Sequence, residues 1–300
     1  MTILITGASG NIGGGVARRL AAAGRPIVLA ARDPGSVTAP RGCPPDIRRL
    51  DYDDPSSYEG ALRRATSVLL IAPPADACAH ERMRPFIRAM TVSEVAHVVV
   101  VSAVMAETDE DFPLRRVERE VERAGHRFTH LRSQWYMNSL TSGVFAPMAA
   151  AGEIALPAGH GRVAFVDPAD VAGAAAAVLT EPARHHGRAY ALTGPEPFDW
   201  ACVAEMCSEF FGHAVRYLPI TDDAYRTACR GAGIPAPVAE FLIGLYTAIR
   251  AGHAARTTTA VRWLTGRPPR GLREFLTEAA AVGAIPGAGT RPVDSMGDGR

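Results

Sequence analysis

The sequence predicts an α/β fold in which a doubly wound parallel sheet is followed by a smaller lobe. Up to about residue 150, short apolar runs alternate with helical patterns, and a glycine turn opens the series. Strands that alternate with helices form parallel sheets covered on both faces. We therefore predict a Rossmann-type domain over residues 1–150, its sheet completed by later strands. A small mixed, mainly helical lobe is predicted over 151–283, and a disordered Gly/Pro-rich tail over 284–300.

The glycine turn follows the first apolar run, Thr2 to Thr6, and precedes a helical pattern that ends at Gly24. Glycines at positions 7, 10 and 13 suit a tight turn, a close approach of the backbone to a pyrophosphate, and close helix packing. A helix that begins near Asn11 would direct its free amides and its positive dipole end at the phosphates. A glycine-rich turn in another kind of α/β protein is the alternative. The residues assigned to dinucleotide binding are Gly7, Ser9, Gly10, Asn11, Ile12 and Gly13.

The end of the second apolar run, Ile27 to Ala31, bears on which dinucleotide is bound. Arg32 stands where NAD-binding proteins usually carry an acidic residue for the ribose hydroxyl. A guanidinium at this place suits the 2′-phosphate of NADPH. We therefore expect NADPH. NADH is the less favoured alternative, because Asp33 could bind its ribose hydroxyl. Asp33 could instead cap the following turn.

The next predicted strands are Asp46 to Leu50 and Ser67 to Ala72. Asp51 and Tyr52 follow the first of them, at the position expected for an adenine, although one of the next two aspartates also fits as a helix cap. The carboxyl ends of parallel strands form the binding crevice of such a sheet. The cofactor assignment therefore extends to Asp51, Tyr52, Ala72 and Pro73, and Pro74 is assigned to the substrate pocket.

Two more buried strands are predicted at His97 to Ser102 and at Phe128 to Leu131. Ser102 lies at a carboxyl end, where its hydroxyl could bond the oxygen of an acceptor substrate. Tyr136 follows the second strand on the same rim and is the candidate that donates a proton or stacks on the substrate. Core packing is the alternative for the Trp-Tyr-Met cluster. The pocket residues assigned here are Val104, Met105, Trp135, Met137 and Asn138.

Three stretches are expected to be structural. Glutamates at 118, 120 and 122 interleave with arginines before Gly125, which predicts a solvated helix and not a site. Segments 153–157 and 162–166 are predicted to pair as short strands, and Asp167 or Asp170 to cap the next helix. The adjacent His185 and His186 are expected to be solvated. Because no carboxylate or cysteine has a suitable ligand spacing to the histidines, we predict no metal.

Composition limits the partners and the chemistry. The net charge is only +1, without the excess of basic residues that binding to a polyanion requires. Neither nucleic acid nor an anionic membrane is therefore expected as a partner. Met1 leads directly into a strand and no long apolar stretch follows, so we expect no signal peptide or membrane span, a cytoplasmic location, and five free cysteines. All 32 basic residues are Arg. A catalytic lysine is therefore excluded.

The motifs together resemble one family. They are TGASGNIG at 6–13, LAARDP at 29–34, LDYDDPSS at 50–57, VVVSA at 99–103, ERAGHRFTHLRSQWYMNSL at 122–140, VDPADVA at 166–172 and YALTGPE at 190–196. In this order they resemble the NmrA-like group of atypical short-chain dehydrogenase/reductases, which includes type 2 quinone oxidoreductases and triphenylmethane reductase. The resemblance covers residues 2–283. It implies an NAD(P)-binding domain with a lobe that closes over a cleft, and the reduction of quinones or other conjugated acceptors.

Departures from that family restrict the mechanism. Of the Ser, Tyr and Lys used in the larger family, only Ser102 matches in position, and Leu114 or Arg115 stands where some members have Lys or His. Arginine cannot release a proton at neutral pH. A quinone needs less help than a ketone, because its reduction gives a resonance-stabilised phenolate that water can protonate.

We therefore expect an NADPH-dependent oxidoreductase that acts on a quinone or conjugated aromatic. An aromatic polyketide or another natural product fits the GC-rich composition as a substrate, and a homodimer is compatible with the sequence. Two alternatives remain. One is a regulatory protein that senses NAD(P) without turnover, and the other is an isomerase or coupling enzyme that performs no net redox step.

Overall fold

The computed structural model describes residues 1–41, 46–74 and 76–282. The predicted tail at 284–300 and Cys43 lie outside these ranges. The other four cysteines are free thiols, as expected. Within the described part of the chain, no helix combines the length and the apolar character needed to cross a bilayer.

Eleven strands and twelve α-helices make up the described fold. The strands are β1 (Ile3–Ile5), β2 (Ile27–Ala31), β3 (Ile47–Arg49), β4 (Ser67–Ile71), β5 (His97–Ala103), β6 (Arg127–Ser133), β7 (Glu153–Leu156), β8 (Arg162–Val163), β9 (Arg188–Leu192), β10 (Phe198–Asp199) and β11 (Arg216–Pro219). The helices are α1 (Asn11–Ala22), α2 (Tyr58–Leu62), α3 (Ala79–Val92), α4 (Pro113–Arg123), α5 (Ala146–Ala150), α6 (Pro168–Thr180), α7 (Pro182–His185), α8 (Trp200–Phe211), α9 (Asp222–Gly231), α10 (Ala236–Arg250), α11 (Ala260–Thr265) and α12 (Leu272–Ala281).

The central sheet confirms the predicted fold class. Its seven strands are all parallel, in the order β3-β2-β1-β4-β5-β6-β9. The order reverses at β1, where β2 lies on one side and β4 on the other. In an open sheet of this kind, ligands bind outside the carboxyl ends of the strands at the reversal. The expected position of a ligand is therefore between the segments that follow β1 and β4.

Alternate side chains of each central strand pack on opposite layers. In β5, Val99 and Val101 join the layer that contains α1 and α6, whereas Val98 and Val100 join the layer of α2, α3 and α4. This alternation follows from the two-residue period of a strand. The alternation determines where Ser102 points. Ser102 lies on the same side of β5 as Val98 and Val100, so its side chain faces α4.

The C-terminal lobe has its own aromatic core, built largely from α5, α8, α9, α10 and α12. The predicted pairing of segments 153–157 and 162–166 is wrong. β7 pairs in parallel with β11, and β8 pairs antiparallel with β10. The connection between β7 and β8 turns at Gly159, whose φ is +54°, and then passes against α10 at Gly161, so the two strands join different partners.

Four aspartates cap helices or turns, which agrees with the sequence. Asp33 accepts a hydrogen bond from the backbone N–H of Gly35 at 2.9 Å, and Asp54 accepts one from Ser56 at 3.0 Å. Of the two candidates for α6, Asp167 is the cap. The helix α8 is capped by Asp199, whose Oδ1 accepts a hydrogen bond from the backbone N–H of Cys202 at 2.9 Å.

Candidate active site

The glycine turn lies at the carboxyl end of β1 and leaves room for a phosphate. Gly7 has a φ of +59°, which suits glycine in a tight turn, and Gly10 is exposed. A Cβ on Gly13 would lie 2.8 Å from the carbonyl carbon of Gly7, so the helix and the turn approach too closely for any other residue. The first turn of α1 has no side-chain cap and no acidic residue. Its amides are thus suited to a pyrophosphate.

Arg32 follows β2 on the same rim, and its side chain is exposed. Asp33 is also exposed, but its carboxylate already accepts the Gly35 amide. The carboxylate that could have served a ribose hydroxyl is thus engaged in a local turn, while the guanidinium beside it stays accessible. This geometry is compatible with the predicted role of Arg32, which remains a prediction.

The predicted adenine-side residues lie at the ends of β3 and β4. The Tyr52 hydroxyl donates to the carbonyl of Ile71 at 3.0 Å, and burial raises the pKa of its phenol. Asp51 is half-buried and accepts the backbone amide of Asp53 at 3.1 Å. Tyr52 therefore joins two strand ends through its hydroxyl, leaving mainly its ring for contact with a ligand. Beyond β4, Ala72 and Pro73 are partly buried and Pro74 is exposed.

Ser102 lies at the end of β5, but its side chain faces α4 and is only 2% exposed. Its Oγ is enclosed and has no hydrogen-bond partner among the described residues. Its hydroxyl lies close enough to the carboxylate of Glu118, on α4, to help lower the pKa of that carboxyl group. A buried polar atom without a partner is uncommon. Ser102 is thus a candidate that needs a change of its surroundings to meet a substrate.

The expectation of a solvated charge run on α4 is wrong for its central residues. Glu118 is 0% exposed and Arg115 is 8% exposed. Arg132, on β6, forms a two-pronged contact with Glu118, from Nε to Oε1 at 2.9 Å and from Nη2 to Oε2 at 2.7 Å. Arg115 adds a third bond to Oε2 at 2.7 Å. The helix buries one charged face because β6 presents a matching one.

Glu122, one turn farther along α4, extends this ion-pair network. Its Oε1 accepts bonds from Arg115 and from His130 Nε2, each at 3.1 Å, and its Oε2 accepts one from Arg119 at 2.9 Å. Glu118, Glu122 and His130 stand close enough together to resemble a metal site. Three arginines already neutralise these carboxylates, so the cluster is an ion-pair network and does not suit a cation.

Tyr136 follows β6 and stays partly exposed at the rim. Burial of its ring raises the pKa of the phenol, an effect that the neighbouring Ser133 hydroxyl partly offsets. The backbone of Tyr136 forms a bridge with Val166, which fixes this segment beside the layer of α1 and α6. A phenol with a raised pKa keeps its proton at neutral pH. It can therefore donate a hydrogen bond to an acceptor oxygen.

The predicted pocket residues separate into two groups. Val104, Met105, Trp135 and Asn138 are partly buried, so each keeps some accessible surface. Met137 does not, since it is 0% exposed within the lobe core. Its side chain packs into that core from the turn Met137–Ser139, and it presents no surface to a ligand. The core-packing alternative thus describes Met137, whereas Trp135 and Tyr136 remain candidates.

The two adjacent histidines differ in environment. His185 is 5% exposed and its Nδ1 lies 3.0 Å from the Tyr190 hydroxyl, so the expectation that it is solvated is wrong. It ends α7 and its ring also meets Trp263 edge-on. His186 is exposed, as expected. Neither residue lies in a set of potential metal ligands among the residues that the structure describes.

A glycine turn at the reversal of a parallel sheet, followed by an uncapped helix start, defines a nucleotide-binding α/β protein. Residues 7–182 match the family described as NAD(P)H-binding. The chain belongs to this family, within the NmrA-like group of atypical short-chain dehydrogenase/reductases. It is accordingly a member of a group of NAD(P)H-dependent reductases, and the expectation of a nicotinamide dinucleotide is confirmed.

Named relatives span nearly the whole chain. A Streptomyces griseus protein, (4-alkanoyl-5-oxo-2,5-dihydrofuran-3-yl)methyl phosphate reductase, is 36% identical over 93% of this chain and 98% of its own. Quinone oxidoreductase 2 of Escherichia coli is 27% identical over 91% and 96%. The solved structure of triphenylmethane reductase from Citrobacter sp., complexed with NADP(H), is 26% identical, covers 93% of this chain and 100% of that one, and gives a TM-score of 0.76.

Proposed function

We propose that the protein transfers a hydride from NADPH to a quinone or a similarly conjugated carbonyl compound. The observation that carries the proposal is the carboxyl edge of the sheet, where the glycine turn follows β1, the exposed Arg32 follows the adjacent strand β2, and the protonated phenol of Tyr136 lies after β6. The names of the relatives support it, since they are a quinone oxidoreductase, a triphenylmethane reductase and a reductase named for a 4-alkanoyl-5-oxo-2,5-dihydrofuran, a ring whose name describes an alkene conjugated to carbonyl groups.

The chemistry follows from what the side chains can supply. When bound, NADPH provides the hydride, and a solvent proton completes the conversion of a quinone to a hydroquinone. The described residues hold the dinucleotide through the turn and the start of α1. Tyr136 donates a hydrogen bond to the oxygen that gains negative charge. Because the chain has no lysine to acidify this phenol, acceptors whose reduced form is a stabilised anion are favoured.

Tyr136 is better supported than Ser102 as the group that meets the acceptor oxygen. The tyrosine keeps accessible surface, whereas the serine hydroxyl is enclosed beside Glu118. We expect Tyr136→Phe to lower kcat by about 10²-fold, the low end for the loss of one hydrogen-bond donor to a developing oxyanion. Ser102→Ala should cost less than about tenfold, as for a single neutral hydrogen bond. The reverse order would exchange the two roles.

The test begins with binding and continues with turnover. Calorimetry measures the dissociation constants of NADPH and NADH, and the absorbance of the nicotinamide band then follows oxidation in the presence of 1,4-benzoquinone and 2-methyl-1,4-naphthoquinone. Tight NADPH binding with quinone-dependent oxidation is the expected result. Tight binding without oxidation by either quinone would contradict the proposal and favour the regulatory alternative.

A further inference from the structure

Helix α10 of the C-terminal lobe crosses the rim where β5 and β6 end. Phe241, in its first half, stacks on Phe112 with ring centroids 5.8 Å apart and an angle of 26°. Phe112 belongs to the connection between β5 and α4. Tyr246, farther along α10, stacks on Trp135 at 6.0 Å and 17°. Trp135 lies two residues after the end of β6. The helix thus contacts the segments that leave two neighbouring strands, on the edge of the sheet where the candidate site lies.

The two halves of α10 are held by different contacts. Near its C-terminal end, Arg250 holds Asp222 through two bonds of 2.9 and 3.2 Å, and it also contacts the carbonyl of Pro157. The same end lies so close to Gly161 that a Cβ there would be 2.6 Å from the Ile249 side chain. In the first half, Ala239 is buried in the lobe core, and Glu240 accepts two hydrogen bonds from Arg226 at 2.6 and 3.0 Å. The Phe112–Phe241 stack is an aromatic contact of this half with the nucleotide-binding domain.

Apolar side chains in the middle of α10 remain partly uncovered. Tyr246 and Ile249 are buried in the lobe core, so the face of α10 that carries them is covered. Phe241, Leu242 and Leu245 keep intermediate exposure, and Phe241 and Leu245 do not pack against the lobe core. On a helix, residues 241, 242 and 245 share a face. This face carries apolar surface that the fold of the lobe does not require.

We propose that Phe241 is a specificity-determining residue, which with Phe112 closes the acceptor site on the β5 side and limits the number of fused rings that fit. The inference rests on the proposed function, because it takes the site to receive flat conjugated acceptors. A phenyl ring in offset contact with another ring offers a flat wall. The wall on the β6 side, Trp135, is backed by Phe145 and by the buried Tyr246 and is therefore fixed. On the β5 side, Phe241 keeps accessible surface and does not pack against the lobe core, so we assign size selection to this side.

The test compares acceptors of one, two and three fused rings: 1,4-benzoquinone, 2-methyl-1,4-naphthoquinone and phenanthrene-9,10-quinone. Phe241→Ala should raise the kcat/KM ratio of the three-ring over the one-ring quinone by about tenfold, the lower range for a changed apolar contact. Phe241→Leu should shift the ratio in the same direction by less, and Phe241→Trp should lower it. The dissociation constant of NADPH should stay the same in all three variants.

Phe211→Ala is the matched control. Phe211 is another partly buried phenylalanine that meets a second ring, Phe210, at 4.8 Å, but it lies at the C-terminal end of α8, and its own described ring contacts are with Phe210 and His213. It should leave the ring-size ratio unchanged. A uniform loss with all three quinones in Phe241→Ala would instead indicate a role in holding the lobe, and would overturn the inference.

A binding measurement separates this inference from the proposed function. Quenching of tryptophan fluorescence in the NADP⁺-loaded protein gives dissociation constants for the three quinones without turnover. If NADPH oxidation fails but the Phe241 variants shift the ring-size dependence of binding, the proposed function is wrong and the inference stands. If the wild-type protein binds none of the quinones, or binds all three with a ratio that the variants leave unchanged, the inference is wrong.

Discussion

Replacing Glu118 with Ala should destabilise the protein strongly, because this carboxylate compensates two buried cations. It accepts three hydrogen bonds from Arg132 and Arg115, and its side chain is fully buried. Arg115 retains Glu110 and Glu122 as partners after the change. Arg132 retains no ion pair among the described residues, and its side chain is only 13% exposed. The variant therefore leaves an arginine buried without a counter-charge.

The expected loss follows from that uncompensated charge. Removing one partner of a buried ion pair costs about 3–5 kcal/mol of unfolding free energy. With about 2–4 °C of Tm per kcal/mol for a domain of this order of size, Tm should fall by about 6–20 °C. The exposed pair of Glu240 and Arg226 supplies the control. Glu240→Ala should cost no more than about 1 kcal/mol, as is usual for surface pairs.

A double variant makes the assay decisive. Thermal and urea unfolding are measured for Glu118→Ala, Arg132→Met and the combination Glu118→Leu with Arg132→Met. Removing both charges together restores most of the stability if the cost arises from an unpaired charge. A double variant as unstable as Glu118→Ala would refute this reasoning and would assign the loss to packing alone.

The pH dependence of the same stability has a defined sign. Burial alone would raise the pKa of Glu118, but the hydrogen bonds from Arg132 and the neighbouring positive charges outweigh it and hold the pKa below its usual value. A carboxyl group with a lowered pKa in the folded state contributes stability above its unfolded pKa. That contribution is lost as the pH falls through the folded pKa. The difference in stability between the wild type and Glu118→Ala should therefore shrink in acid.

Three further predictions concern the cofactor and the sheet. Arg32→Ala should weaken NADPH by about ten- to a hundredfold in calorimetry and leave NADH nearly unaffected, since a charged hydrogen bond to phosphate contributes about 1.5–3 kcal/mol; equal losses would exclude contact with the 2′-phosphate. Gly13→Ala should abolish NADPH binding because its methyl group overlaps the Gly7 carbonyl, whereas Gly60→Ala, in open space on α2, should be neutral or stabilise by about 0.5–1 kcal/mol. Burial lowers the pKa of His97 to about 4, so the unfolded chain takes up this proton first and stability should decline as the pH falls from about 6.5 to 4. Replacing His97 with Gln should flatten that part of a Tm-against-pH curve.

The parts of the fold that the sequence predicts are those set by local patterns. A strand, a glycine turn and a helix leave their marks within the first thirty residues, and the aspartate caps lie beside the amides they bind. Pairing between distant segments leaves no such mark. No sequence pattern near Glu153 indicates that β7 pairs with β11 and not with β8. Strand partners of this kind are chosen by packing of the whole lobe.

The buried network was missed for a related reason, although a signal was present. Alternating charges at helical spacing look the same on a solvated helix and on one that meets charged residues of a sheet. The informative residues lie on the strand. His130 and Arg132 occupy alternate positions of β6 and so share one face, the face that α4 covers. A polar face on a buried strand predicts a polar face on the helix above it, and that rule identifies Glu118 and Glu122.

The placement of charge also bears on which acceptors suit the site. Arg132, which is paired with Ser102 at the end of β5, and Arg115 are both held by the carboxylate of Glu118. With no lysine in the chain, the phenol of Tyr136 lacks an adjacent amine that would lower its pKa, and its burial raises that pKa instead. Such a phenol stays protonated and can donate a hydrogen bond, but it is a poor acid. A donor of this kind stabilises a delocalised oxyanion sufficiently, whereas the localised alkoxide of a simple ketone needs a full proton. The same residues therefore favour conjugated acceptors over isolated carbonyl groups.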